Sequence, residues 1–490
     1  MRRIPYKYLV AIAFVCGLFM DLMDMTVVNV ALPTLGRRFH AGTSALEWVV
    51  TGYLLSLAIW IPASGWIGDR FGTKKTFIFA LTMFTLGSAL CGAAWSIESL
   101  IAFRILQGVG GGMLTPVGVA MLFRAFPPHE RAKASTILTV PTTIAPAIGP
   151  LLGGWLVDNA SWRWIFYVNL PVGVAGLIFS LLFLREHTEP TAGRFDLAGF
   201  VLSGTGLAAI LYALSSGPTH GWDSPGVLAA LIGGVAAFVA LVPVELRQRA
   251  PMLDLRLLGD RMFRSANLTM TMAFASLLGV LFLLPLFLQN LRGYSATETG
   301  AIALPQAILS VLVAPFVGRL YPRVGPRRLL MVALSVFALS SAGFLVIDLR
   351  TSVWAIVALM AVRGVAMGFT FIPAQAATYA TIKPQDTGRA SSIFNTNRQV
   401  SGALGVAILA TVLTQRATAH VHDALRGVTD QAAAQAAQAH GMVLAFHDAF
   451  AAAVVIGILG IIAAALIRDE DAAATMRRGA ERPLEEPLAV

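Results

Sequence analysis

The stretch that decides the fold is G-W-I-G-D-R-F-G-T-K-K-T at residues 65–76, which lies between two long apolar runs. A related stretch, G-R-L-Y-P-R-V-G-P-R-R, occupies residues 318–328, displaced by 253 positions. In each copy, two glycines seven positions apart are followed by a pair of basic residues. The glycine pair at 108 and 112 also recurs, at 364 and 368. The chain therefore contains a parallel internal repeat, and parallel halves are one of the ways in which secondary transporters are built.

Apolar runs dominate the 490 residues, because 57% of them are hydrophobic and 13% are charged. Soluble domains carry about twice that charged fraction, so the composition excludes a soluble enzyme, a disordered chain and a collagen-like fibre. A membrane-spanning helix needs about 20 apolar residues. We therefore predict an all-α polytopic membrane protein with fourteen spans, at about 8–33, 46–68, 76–97, 99–123, 134–157, 164–184, 197–215, 225–245, 265–289, 299–318, 329–347, 352–379, 390–414 and 443–467.

Basic residues are unevenly distributed between the two sets of loops. Of 36 Lys and Arg residues, 26 lie on the side of the two termini, 7 lie on the opposite side and three lie inside spans. Loops with excess Lys and Arg stay in the cytoplasm, so we expect both termini to be cytoplasmic. The same bias explains most of the net charge of +10 without a nucleic-acid partner.

The repeat and the spans together predict the domain organisation. Each half contributes six spans, and the seventh and eighth spans are inserted between the halves. The expected segments are an N-terminal six-helix bundle at 1–190, two inserted helices with linkers at 191–250, a C-terminal six-helix bundle at 251–467 and a cytoplasmic, disordered tail at 468–490.

Two carboxylates in the first span are the leading candidates for chemistry. Asp21 and Asp24 are three residues apart, which places them on one side of a helix, and Arg104 lies inside the fourth span. An ionisable residue within a membrane span indicates a functional site by default. Asp24 and Arg104 form either a proton-coupling group or a fixed structural ion pair. Asp21 is either a second proton site or a pore-facing residue with no obligatory role.

The turn at 65–76 is a candidate conformational switch, in which Gly65 and Gly72 permit a tight turn and Asp69 and Arg70 contribute charge. The adjacent basic pair at 74–75 is equally explained as a solvated loop. We expect Asp69 to contact the positive N-terminal end of a helix from the other half.

Two further groups of polar or small residues lie within spans. The glycines and the proline of the fifth span suit either a bending gate or ordinary small-residue packing; they are Gly149, Pro150, Gly153 and Gly154. A polar cluster in the thirteenth span is expected to face a substrate cavity; it contains Asn395, Asn397, Arg398 and Gln399. For Arg398, substrate contact and interhelical hydrogen bonding stay open, whereas Arg363 in the twelfth span is interpreted as structural.

Five motifs in order resemble those of the major facilitator superfamily. The turn at 65–76 and R-x-x-Q-G-x-G-G-G at 104–112 resemble signatures of the whole superfamily, and I-G-P-L-L-G-G at 148–154 resembles that of its drug/proton antiporters. D-M-T-V-V-N-V-A-L-P at 24–33 and W-R-W-I-F-Y-V-N-L-P at 162–171 resemble its fourteen-span drug exporters. The sequence departs from these patterns at Ala145, Pro146 and Pro322, and Pro322 stands where the first half has Asp69.

The resemblance implies a proton-coupled antiporter that exports lipophilic or cationic drugs from the cytoplasm by alternating access. It implies a multi-pass protein of the cell inner membrane, with protons, the lipid bilayer and a small lipophilic substrate as partners, and it allows a periplasmic adaptor protein. No cofactor, metal site or catalytic constellation is expected. Export of an endogenous lipid or metabolite is the alternative within the same fold, and a membrane enzyme or a channel is disfavoured.

Overall fold

The computed structural model describes residues 4–189, 193–248, 251–426 and 430–476, and every regular element in these ranges is helical. The first half contains six long elements and one short helix before the last of them. They are α1 Tyr6–Phe39, α2 Thr43–Phe71, α3 Thr73–Gly92, α4 Ile97–Ala125, α5 Arg131–Asn159, the short α6 Trp164–Tyr167 and α7 Asn169–Phe183.

The helices of the predicted insertion and of the predicted second half follow along the chain. The inserted helices are α8 Leu197–His220 and α9 Pro225–Arg247. The second half consists of α10 Arg261–Leu286, α11 Ala296–Val324, α12 Pro326–Ala342, α13 Val353–Thr378, α14 Thr387–Leu425 and α15 Gln431–Ala465.

Thirteen of the described helical segments are long and apolar enough to cross a membrane. The fourteenth spanning element is α5, whose 29 residues include the Gly- and Pro-containing stretch 145–154 and pack against α1 and α11. Because a helix rises about 1.5 Å per residue, α5 is about 44 Å long, enough to cross a hydrocarbon core of about 30 Å. The predicted all-helical membrane fold is therefore confirmed.

The first and last described residues of the chain lie at one end of the bundle, which we call the terminal end. There Tyr6 of α1 contacts Arg185 after α7, and Thr475 near the C-terminus bonds with Tyr321 of α11 at 2.8 Å. Residues 469–472 and 473–476 form short helical turns. This ordered start differs from the disorder expected for the tail at 468–490, because Thr475 and its neighbours are buried against the bundle. Residues 477–490 lie outside the described part.

The two copies of the repeated turn have the same construction. Each turns at one glycine with positive φ, +102° at Gly72 and +85° at Gly325. In each half, an acidic residue located after the last helix of that half caps the helix that follows the turn. Glu186 accepts the backbone N–H of Lys74 at 2.9 Å, and Asp469 accepts that of Arg327 at 2.9 Å. An added Cβ at either glycine would collide with these carboxylates, so both turns require glycine.

The inserted helices stand beside the gap between the halves. Helix α8 packs on α2 of the first half and on α14 of the second half, while α9 packs chiefly on α8. At the end opposite the termini, the Trp222 indole donates a hydrogen bond to the Thr411 hydroxyl of α14 at 2.8 Å. The exposed face of α9 is apolar, as expected of a lipid-facing surface. The insertion therefore forms a wall that separates the interior from lipid on this side.

The halves meet closely at the terminal end. The rings of Phe123 on α4 and Tyr379 after α13 stack with centroids 4.2 Å apart. The Ser391 hydroxyl of α14 donates to the Pro116 carbonyl of α4 at 2.7 Å. These contacts close the terminal end of the space between the halves.

Candidate transport site

A cavity of about 660 Å³ lies between the halves, above the closed terminal end. Its walls come from α1, α2, α4 and α5 of the first half, from the inserted α8 and from α10, α13 and α14 of the second half. This volume is within the range of small-molecule sites. Most lining residues are apolar, and the charged residues among those described there are Asp21 and Arg398.

Asp21 is the carboxylate of the first half that lines this cavity. The Tyr53 hydroxyl donates to its Oδ1 at 2.5 Å, and the Thr115 hydroxyl is 3.3 Å from its Oδ2. Gly111 of α4 also lies close to this carboxylate, since a Cβ added there would lie 3.0 Å from Asp21 Oδ1. Asp21 is 2% exposed. It is therefore held by two hydroxyl donors and has no ion-pair contact with a described basic residue.

Asp24 belongs to a closed hydrogen-bond cluster behind the cavity wall. Arg104 Nη1 donates to its Oδ2 at 2.5 Å, Gln107 Nε2 donates to its Oδ1 at 3.0 Å and Asn169 Nδ2 donates to the same oxygen at 3.1 Å. Arg104 also donates to the Val49 carbonyl at 3.2 Å and stacks over a tyrosine ring. Both charged groups are about 1% exposed or less. The predicted meeting of Asp24 and Arg104 is thus present in the structure.

The two acids differ in their access to the cavity. Asp21 is among the lining residues, whereas Asp24 points toward α4 and α7, where its oxygens accept three hydrogen bonds. Both carboxylates contact α4, so they lie on one side of α1, as their spacing predicts. Asp21 thus faces the cavity, a position that is consistent with both of the roles that the sequence left open for it. The proton-coupling roles of Asp21, Asp24 and Arg104 stay predictions.

Asp69 reaches the other half, as its position in the repeated turn predicts. It is 2% exposed, and Arg124 Nη2 donates to its Oδ1 at 2.7 Å. A Cβ added to Gly388, the second residue of α14, would lie 2.7 Å from Asp69 Oδ2. The carboxylate therefore lies against the positive N-terminal turn of α14. Arg124 also donates to the Pro384 carbonyl at 3.0 Å, so that it bridges both halves.

The other residues of the candidate switch have distinct environments. Gly65 allows close packing, since an added Cβ would lie 2.5 Å from the Gly388 carbonyl oxygen, and its N–H donates to Ser392 Oγ at 3.0 Å. Gly72 makes the positive-φ turn described above. Arg70 is exposed and makes no described hydrogen bond or ion pair, and the basic residue that contacts Asp69 is Arg124.

The glycines of α5 pack against α1. A Cβ at Gly149 would lie 1.9 Å from Thr26 Oγ1, and one at Gly153 would lie 3.0 Å from Val27 Cγ1. Gly154 is half-buried, and the side chain of Pro150 lies outside the described residues. Close packing of α5 on α1 is thus present, while a gating role for these residues stays a prediction.

The polar cluster of α14 divides between two faces. Asn395, Arg398 and Gln399 line the cavity. Asn397 does not; its Nδ2 donates to the Asn267 carbonyl at 3.1 Å, and its Oδ1 accepts from Thr271 at 2.9 Å. The expectation that Asn397 faces the cavity is therefore wrong in this conformation, because it joins α14 to α10. Arg363 is buried and bonds to Ser341 Oγ at 2.5 Å, in keeping with a structural role.

Several functional partners were missed from sequence. Tyr53, Arg124 and Glu186 were not predicted, although each contacts a predicted site. Gln107 and Asn169 were quoted only as letters of motifs. A polar side chain inside an apolar span was a usable signal for Tyr53, Gln107 and Asn169. No comparable signal marks Arg124 or Glu186, since charges at span ends are ordinary.

Comparison with known proteins identifies relatives along most of the chain. The sequence model described as Major Facilitator Superfamily matches residues 14–406. A protein of Mycobacterium tuberculosis (strain ATCC 25618 / H37Rv) named "Multidrug resistance protein B homolog" is 36% identical over 80% of this chain and 73% of its own length. The Escherichia coli (strain K12) "Multidrug export protein EmrB" is 31% identical over 84% of this chain and 81% of its own length.

Solved structures share the fold. The human organic anion transporter MFSD10 superposes with a TM-score of 0.65 at 14% identity, covering 94% of this chain and all of that one. The proton:xylose symporter XylE superposes with a TM-score of 0.56 at 15% identity, covering 94% of both chains. At such identities the similarity concerns the fold alone.

Proposed function

The chain belongs to the major facilitator superfamily, and from this we propose that it is a proton-coupled antiporter that exports lipophilic, including cationic, compounds by alternating access. The observation that carries the proposal is a largely apolar cavity between the halves that contains a buried carboxylate, Asp21, on its wall. Relatives at 31–36% identity are named for multidrug resistance or export, which supports drug efflux as the transport class.

Orientation follows from the distribution of basic residues. We infer that the protein lies in the cell inner membrane with its terminal end facing the cytoplasm, because most Lys and Arg residues lie at that end. With that end closed by Asp69, Arg124 and the first turn of α14, the conformation is the outward-facing one. This arrangement leaves the end opposite the terminal end available to a periplasmic adaptor protein.

Exchange of proton for substrate uses the two acids in different ways. Asp21 meets the cavity and is the first carboxylate that an external proton reaches. Asp24 and Arg104 form the neighbouring charged pair, which lies behind the cavity wall. Protonation of the cavity carboxylate weakens its attraction for a cationic group, and release of the substrate outward follows. Reopening of the terminal end then allows the proton to leave inward.

The test is substrate-induced proton release from the purified carrier, measured with a pH-sensitive dye, beside proton-gradient-driven dye efflux in proteoliposomes. Asp21→Asn and Asp24→Asn are each expected to reduce proton release by at least about tenfold, which corresponds to loss of the proton acceptor or of its partner. Asp423→Asn is the matched control, since Asp423 is an exposed carboxylate on the outer part of α14. Parental proton release from both variants would remove proton coupling from this site.

A further inference from the structure

The cavity contains an arginine without a fixed partner. Arg398 of α14 lines the cavity, and among the described residues none forms a hydrogen bond or an ion pair with its guanidinium group. A guanidinium has five N–H donors, and a charged group at membrane depth is costly unless it is paired. Two arginines deep within the spans have polar partners: Arg104 has a carboxylate, and Arg363 has a hydroxyl and a carbonyl. Arg398 thus offers its donors to whatever occupies the cavity.

The opposite charge lies across the cavity, on the other half of the protein. Asp21 is the carboxylate whose charge attracts Arg398, yet the two make no ion pair within 4 Å. Asp21 belongs to α1 and Arg398 to α14, so the space between them bridges the two halves. The carboxylate accepts hydroxyl donors from Tyr53 and Thr115, and an ionised carboxylate has about four acceptor positions. Both groups therefore retain unused hydrogen-bonding capacity toward the cavity.

We propose that the cavity binds amphipathic zwitterions, with the anionic group of the substrate on Arg398 and its cationic group on Asp21. The proposal rests on the proposed export function and names its substrate class. A carboxylate matches the planar fork of a guanidinium and forms two parallel hydrogen bonds with it. An ammonium group supplies the donors that Asp21 still accepts. The apolar body of the ligand lies against aromatic side chains of the second half, Phe274, Phe282 and Phe371.

Charge balance favours a zwitterion over a simple cation or anion. A monocation held at Asp21 leaves Arg398 desolvated and unpaired, and a monoanion held at Arg398 leaves Asp21 without a cation. A desolvated charge that has no counter-charge is strongly unfavourable. A zwitterion satisfies both groups at once and connects the two halves. A proton that neutralises Asp21 removes one of the two attachments, which makes binding sensitive to the coupling ion.

The experiment measures equilibrium binding to the purified carrier in nanodiscs, with no proton gradient. The ligands are a fluorescent fluoroquinolone with a carboxylate and a piperazine amine, its methyl ester and its N-acetyl derivative. We expect the parent carrier to bind the zwitterion at least about tenfold more tightly than either derivative, as expected for loss of one charged hydrogen-bonded contact. Because binding needs no transport, a failure of proton coupling leaves this result unchanged, and the two proposals fail separately.

Variants assign each charged group of the ligand to its partner. Arg398→Gln should remove the preference for the zwitterion over the ester, and Arg398→Lys should restore part of it. Asp21→Asn should remove the preference over the N-acetyl derivative. Arg416→Gln is the matched control, since Arg416 is 59% exposed on the outer part of α14. Equal or tighter binding of the ester by the parent carrier would overturn the proposal, and this comparison needs no variant. An unchanged ligand preference in Arg398→Gln would overturn it as well.

Discussion

The two halves share a fold, but the buried arginine of each half has different hydrogen-bond partners. In the first half, Arg104 of α4 pairs with Asp24 of α1 at 2.5 Å. In the second half, Arg363 of α13 donates to Ser341 Oγ at 2.5 Å and to the Ser276 carbonyl of α10 at 2.9 Å, and it pairs with no described carboxylate. Both guanidinium groups lie over an aromatic ring at similar distances, 4.0 and 3.9 Å.

This difference shows that the repeat preserves the framework, while the carboxylates that the sequence places deep within the spans lie in the first half. The first half contains the membrane carboxylates Asp21, Asp24 and Asp69, whereas the corresponding turn of the second half has Pro322 at the position of Asp69. The second half contributes Arg398 to the cavity instead. Among the described residues, the cavity thus receives its carboxylate from the first half and its guanidinium group from the second half.

Replacing each buried arginine by methionine should separate the two halves most clearly. Arg104→Met leaves Asp24 buried without its cation, and removing one partner of a buried pair costs about 3–5 kcal/mol. Arg363→Met removes a desolvated charge that has neutral partners, and we expect stability to change by no more than about 1 kcal/mol. Thermal melting of the detergent-purified proteins measures the difference. Equal losses in both variants would show that the neutral partners of Arg363 stabilise it as strongly as a carboxylate.

The contacts of Asp69 give a second, functional contrast between the two turns. Asp69→Asn removes the charge that contacts Arg124 and the N-terminal turn of α14, interactions of up to about 2 kcal/mol at a helix terminus. We expect transport to fall about tenfold with expression preserved, because the closed terminal end loses its charged latch. A cysteine at the buried position Ser392 should react faster with a maleimide in this variant. Pro322→Ala in the other turn is the matched control and should leave both readouts unchanged.

The smallest expected effect concerns the two capping carboxylates. Glu186→Gln and Asp469→Asn each remove a charged acceptor from a helix N-terminus, worth about 0.5–1 kcal/mol. Because the two turns have the same geometry, we expect the two losses in thermal stability to agree within about a factor of two. Melting curves of the two single variants test this. A large loss from only one of them would mean that the repeat does not extend to its caps.

The sequence by itself determined the spans, the repeat and the location of the acids. Hydropathy and motif spacing are properties of each segment and its contact with lipid or water, so they can be read without knowing which helices meet. The charge preference of helix ends likewise indicated from the sequence that Asp69 contacts a helix N-terminus of the other half.

Only the tertiary structure decided which side chains share a site. Successive residues of a helix point about 100° apart, so Arg398 faces the cavity while its neighbour Asn397 bonds to α10. Residues three apart differ by about 60°, which is enough to place Asp21 on the cavity wall and Asp24 behind it. The partner Asn169 comes from a helix 145 residues away along the chain. Such meetings depend on how distant helices pack, and no local pattern in the sequence encodes them.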